Sequence, residues 1–99
     1  MTLLEQIKKK YPNPRASGLL PLNKGYCVGG AICRWAGTKN AHFPYWGAVT
    51  DALQTLNPGL PYRKAGMLAY DILIANDQSL FEKAWTLVGK ALKYKRRNR

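Results

Sequence analysis

Apolar residues recur along most of this chain at intervals of three and four, the spacing that gives a helix one apolar stripe, and nowhere do they alternate long enough for a convincing strand. Five segments carry the pattern. Leu3, Leu4, Ile7 and Tyr11 mark the first, over residues 3–11; Thr2 and Glu5 open it as a Thr-x-x-Glu capping box, and Pro12 and Pro14 stop it. Val28, Ala31, Ile32 and Trp35 define the second, over 26–36, with Gly37 placed to end it in the left-handed conformation. Gly29 and Gly30 inside that segment each cost about 1 kcal/mol relative to alanine, which suggests close approach by another backbone. The third, over 44–56, has Pro44 in its first turn and a stripe of Trp46, Val49, Leu53 and Leu56, and Asn57-Pro58-Gly59 ends it.

The fourth segment, over 62–75, is apolar nearly all round. Ala65, Leu68, Ala69 and Ile72 share one side and Met67, Tyr70 and Ile74 another, the pattern of a central helix covered on both. The fifth, over 79–94, opens with a second capping box, Ser79 and Glu82. It sets Phe81, Ala84, Trp85, Val88, Ala91 and Leu92 on one side and Lys83, Lys90, Lys93 and Arg97 on the opposite one. Between the first two segments, Pro12 to Gly25 is rich in Pro, Asn, Ser and Gly and holds Leu19, Leu20 and Leu22, so it reads as a loop pinned to the core by its leucines. No internal repeat is present. The pattern predicts an all-α protein: a single compact domain over 1–99 with about five helices, the last of them basic and followed by a basic tail over 95–99. The chain is long enough for one core, and with 46% hydrophobic residues it can offset the entropy of folding.

Charge changes this picture at one place. From Trp85 to Arg99 the chain carries Lys90, Lys93, Lys95, Arg96, Arg97 and Arg99 and no acidic side chain, within a total of 16 Lys and Arg against 5 Asp and Glu and a net charge of +11. A helix needing only a solvated face would mix in Glu, since each i,i+4 pair stabilises by roughly 0.2–0.5 kcal/mol. A polyanionic partner is the simplest reason to forgo them. Lys83, Lys90, Lys93, Lys95, Arg96, Arg97 and Arg99 are therefore candidate contacts to the phosphates of RNA or DNA, and Tyr94, flanked by Lys93 and Lys95, is the aromatic placed to stack on a base. Lys8, Lys9 and Lys10 would join them if the end of the first helix lay beside the fifth. The competing account is that cations at a helix C-terminus are favoured by its dipole and that a basic tail aids solubility. Sequence-specific DNA reading is not indicated: the connection into the third helix is long for a helix-turn-helix, and that helix has no Lys or Arg but does carry Asp51. Tyr11, Tyr26, Trp46, Tyr62, Tyr70 and Trp85 fall on apolar stripes and read as core, whereas Tyr45 is left open between core and surface.

Reactive side chains are few. Cys27 stands at the start of the second helix, where the dipole lowers a thiol pKa, and the single histidine, His42, is the available base. No third group orients the pair, and a small buried cysteine is the commoner outcome. No catalytic residue is assigned. A thiol enzyme using Cys27 ranks third, behind a non-enzymatic nucleic-acid binder and a protein-interaction module, such as a phage- or host-encoded regulator or inhibitor docking on an acidic protein surface. Cys27 and Cys33 lie about 9 Å apart along a helix axis, too far for a disulfide. With one histidine and no Cys-x2-Cys pair, neither a metal nor a cofactor is expected. Asp71 and Asp77 read as structural carboxylates and Asn76-Asp77-Gln78-Ser79 as a helix cap. No apolar run approaches the roughly 18–20 residues that span a bilayer, and residues 2–10 are too charged for a signal peptide, so the expectation is a cytoplasmic protein without membrane contact.

Tyr26-Cys-Val-Gly-Gly-Ala31, a middle helix, and Asn76-Asp77 followed by Phe81, Ala84, Leu87 and Ala91 together resemble a pattern in small bacterial and phage helical domains of unknown function. The likeness covers some two thirds of the chain and leaves out its basic C-terminal extension. It implies a compact helical domain and a bacterial or phage setting, and brings no activity with it.

Overall fold

In the computed structural model of the protein, residues 1–15, 26–38 and 46–95 are described; the readings on Leu19, Leu20, Leu22, His42, Pro44, Tyr45, Arg96, Arg97 and Arg99 fall outside them. The described residues form five α-helices and no strand: α1 Leu3–Lys10, α2 Val28–Ala36, α3 Trp46–Leu56, α4 Tyr62–Asp77 and α5 Phe81–Lys93. The protein is an all-α single domain.

Helix ends follow local chemistry. At α1 the Thr2 hydroxyl accepts the Glu5 N–H and the Glu5 carboxylate accepts the Thr2 N–H, both at 3.1 Å, the reciprocal capping box. The Thr2 N–H, with the Thr2 hydroxyl beside it, holds the Glu5 carboxyl below its ordinary pKa. α2 stops at Gly37, whose φ of 77° lets the Thr38 N–H reach the Cys33 carbonyl at 2.9 Å and the Gly37 N–H that of Arg34 at 3.2 Å. α4 ends the same way, and this corrects the capping box expected at Ser79 and Glu82. Ser79 has a φ of 62°, the Leu80 N–H bonds the Ala75 carbonyl at 2.8 Å, and the Ser79 N–H bonds the Asn76 carbonyl at 2.9 Å. Only three residues separate α4 from α5, and reversing the chain over them takes a left-handed residue at 79, whereas a cap for α5 would need that residue extended. Leu80 becomes the N-cap instead, without a side-chain bond, and α5 begins at Phe81.

α4 is central on one side only. Ala65, Leu68, Ala69, Ile72 and Ala75 are buried in the core that α4 shares with α2, α3 and α5, which includes Ile32, Val49, Leu53, Trp85 and Val88. The second apolar side expected to be covered is open: Met67, Tyr70 and Ile74 are 60%, 54% and 38% exposed, and Tyr62, also expected in the core, is 67% exposed in the first turn. Trp46, expected on the buried stripe of α3, is 56% exposed and sits at the rim, its indole N–H on the Gly66 carbonyl at 2.6 Å. The reason is the number of helices. α2, α3 and α5 occupy the inner side of α4, α1 packs on α5 and α2, and no further helix among the described residues remains to cover the outside. α1 lies close to α5 because residue 89 is glycine: a Cβ there would come within 2.9 Å of the Leu4 Cδ2.

Candidate nucleic-acid interface

α5 separates its two sides as its sequence demands. Ala84, Trp85, Val88, Gly89 and Ala91 are buried, Phe81 and Leu92 pack partly against the core, and Lys83, Lys90 and Lys93 are exposed. Lys90 and Lys93 stand one turn apart near the end of the helix, and Lys95 is exposed beyond it. Lys83 is about 10 Å back along the axis, where it lines an open groove of about 220 Å³ together with Asp71, Ile74 and Gln78. It therefore has a carboxylate for company. Tyr94 is half-buried and packs against the core, so its ring is less available for stacking than its flanking lysines suggest.

The C-terminus of α5 is tied down by the turn between α3 and α4. Asn57 donates through Nδ2 to the carbonyls of Ala91, at 2.9 Å, and Tyr94, at 3.0 Å, while its Oδ1 accepts the Gly59 N–H at 3.2 Å. Carbonyls at a helix end have no intrahelical partner, so this side chain meets a demand every helix makes. The tie also brings the first turn of α4, with Arg63 and Lys64, to the end of the molecule that holds Lys90, Lys93 and Lys95. Sequence reasoning passed over these two cations. The signal was present, however: cations in the first turn of a helix oppose its dipole by about 0.3–1 kcal/mol each, and α4 has no acidic residue there.

Lys8, Lys9 and Lys10 do not join this cluster. α1 runs antiparallel to α5, with Leu4 against Gly89 and the Lys8 Nζ 4.0 Å from the Glu82 carboxylate. The three lysines therefore lie at the start of α5, about 16 Å along its axis from Lys93. The Lys8–Glu82 pair is exposed and contributes at most about 1 kcal/mol. Lys10 sits over the rings of Tyr11 and Trp35, at 5.9 and 5.7 Å.

Cys27 caps α2 rather than presenting a thiolate. Its Sγ accepts the Gly30 N–H at 3.2 Å, and burial pushes its pKa up despite that bond. Burial, with Cys27 and Asp51 nearby, pushes Cys33 up to about 12. Both thiols are free and buried, and at Cys27 desolvation outweighs the helix-end donors that were expected to lower its pKa. Asn76 completes the α2 cap from the far end of α4: its Oδ1 accepts the Val28 N–H and its Nδ2 donates to the Arg15 carbonyl, each at 2.9 Å. The two parts of the pattern Tyr26-Cys-Val-Gly-Gly-Ala31 and Asn76-Asp77 thus meet. The cap they form is on α2, not on α5 as the polar run Asn76 to Ser79 suggested.

Among the described residues, no group of three His, Cys, Asp or Glu side chains could hold a metal ion, and no helix is long and apolar enough to cross a membrane. No protein-family model, curated protein or solved structure matches the chain.

Proposed function

We propose that the protein is a non-enzymatic nucleic-acid binder that grips phosphates with the end of α5 and the residues after it. Lys90, Lys93, Lys95, Arg96, Arg97 and Arg99 supply the main contacts, Lys83 an outlying one, and Lys64 reinforces the positive potential from α4. Tyr94 contributes through its place between two lysines more than through an open ring face. The observation that supports this reading is the convergence of cations from α4 and α5 on one end of the molecule, while Asp77 and Glu82 lie at the other and Glu5, which the Leu4–Gly89 contact places near the basic end, is engaged in the capping box with Thr2.

Fluorescence anisotropy of labelled single-stranded RNA, single-stranded DNA and duplex DNA across a salt series tests it. With about six phosphate contacts, affinity falls by roughly 10³ or more between 50 and 200 mM salt. Replacing Lys93, Lys95, Arg96 and Arg97 with Gln lowers affinity for every sequence and flattens the salt slope by nearly one for each phosphate no longer neutralised. Unchanged binding by that variant rejects the assignment. Binding that vanishes below about 150 mM salt leaves the basic end to an acidic protein surface, which a pull-down with and without nuclease would then identify.

A further inference from the structure

Arg63, Met67, Tyr70, Ile74 and Asp77 follow one another along α4 at intervals of four, three, four and three, the spacing of a coiled-coil seam. All five are exposed, on the side of α4 turned away from Ala65, Leu68, Ala69, Ile72 and Ala75. Three apolar positions bounded by a cation at one end and a carboxylate at the other form a self-complementary strip. If a second α4 lies antiparallel across it, a two-fold axis at Tyr70 sets Arg63 of each copy opposite Asp77 of the other, and Met67 opposite Ile74.

We propose that this strip joins two copies of the chain as an antiparallel α4–α4 dimer. Trp46, in edge-on contact with Tyr70 at 6.1 Å between ring centroids, closes one flank of the seam. Charge selects a second copy as the occupant. A chain of net charge +11 repels itself over most of its surface, yet along this part of α4 Asp71 and Asp77 offset Arg63 and Lys64, and the antiparallel pairing sets unlike charges against each other twice. The seam is about 21 Å long and covers less than a standard interface, so the dimer is weak and concentration-dependent. The inference rests on the apolar strip and its end charges and needs no residue of α5; it shares Arg63 alone with the cationic end of the molecule, and the Met67→Glu variant tests it without touching that residue.

Sedimentation velocity over a concentration series from about 5 to 500 µM tests it, since dimer population follows mass action. The 99-residue chain shifts from monomer to dimer across that range. Met67→Glu raises the dimer Kd by at least about tenfold, because it places charge in the seam, and leaves the circular dichroism unchanged, because residue 67 is exposed. Arg63→Asp and Asp77→Arg each weaken pairing when studied alone, since like charges then face each other. An equimolar mixture of those two variants restores dimer to within about threefold of the wild type, because every reversed residue in the mixed pair meets its opposite. A monomer at every concentration, a dimer indifferent to Met67→Glu, or a mixture no stronger than its components overturns the proposal, and the first of these would leave the strip to a different protein.

Discussion

Each end of the α4–α5 pair is held by one asparagine, and the two do different work. Asn76, fully buried, ties the start of α2 and the segment after α1 to the end of α4, where each of its amide atoms meets a backbone group. Asn57, half-buried, ties the α3–α4 turn to the open end of α5, and the cations gather around it. The first end is a closed polar clamp inside the core; the second is a fixed platform facing solvent. On the function proposed above, the contrast separates residues that hold the fold from residues that meet a partner, although both sets are polar and neither is marked by periodicity.

The largest change should come from removing charge at the open end. The Gln variant of Lys93, Lys95, Arg96 and Arg97 is expected to lose about 10²-fold or more of its affinity for nucleic acid at low salt while its Tm stays level or rises as self-repulsion is relieved. A Tm that falls with affinity would mean these cations serve the fold, and the contrast between the ends would fail. Asn76→Ala should do the reverse. It leaves the Val28 N–H buried without that partner, for a loss of about 2–4 kcal/mol, read as a Tm lower by roughly 10 °C or more. Among molecules still folded, the salt slope of binding should not move.

Asn57→Ala links the two ends, since it is structural in origin and felt at the platform. About 1–2 kcal/mol should be lost in a thermal melt, with hydrogen exchange accelerated over the last turn of α5 and little changed in α2. Uniform acceleration across all five helices would show that Asn57 holds the whole domain. Ser79→Gly should give the smallest effect, a gain of about 0.5–1 kcal/mol, because glycine relieves the left-handed backbone that ends α4. A loss in the same melt would mean that the serine hydroxyl has a role at this turn.

Helices were the most legible part of this protein. Their existence and inner stripes could be read because periodicity is local: Ala84, Trp85, Val88 and Ala91 must share a side of α5 whatever that side meets. Boundaries were read less well wherever a residue could serve two helices, as Ser79 could. The site was legible only in part. The run of cations after Trp85 needs no fold to be seen, whereas Arg63 and Lys64 belong with it only because the Asn57 turn folds back onto α5.

The sequence by itself determined five amphipathic helices, the opposition of lysines and core on α5, and the excess of positive charge at the C-terminal end, all of which depend on neighbours within a turn or two along the chain. Tertiary structure alone decided that Lys8, Lys9 and Lys10 lie away from that charge, that Asn76 caps a helix beginning 48 residues earlier, and that no helix among the described residues covers one apolar side of α4. The physical reason is that a stripe specifies its own direction but not its partner. Which stripes are covered and which charges become neighbours depends on how short turns reverse the chain and on how many helices there are to share one core.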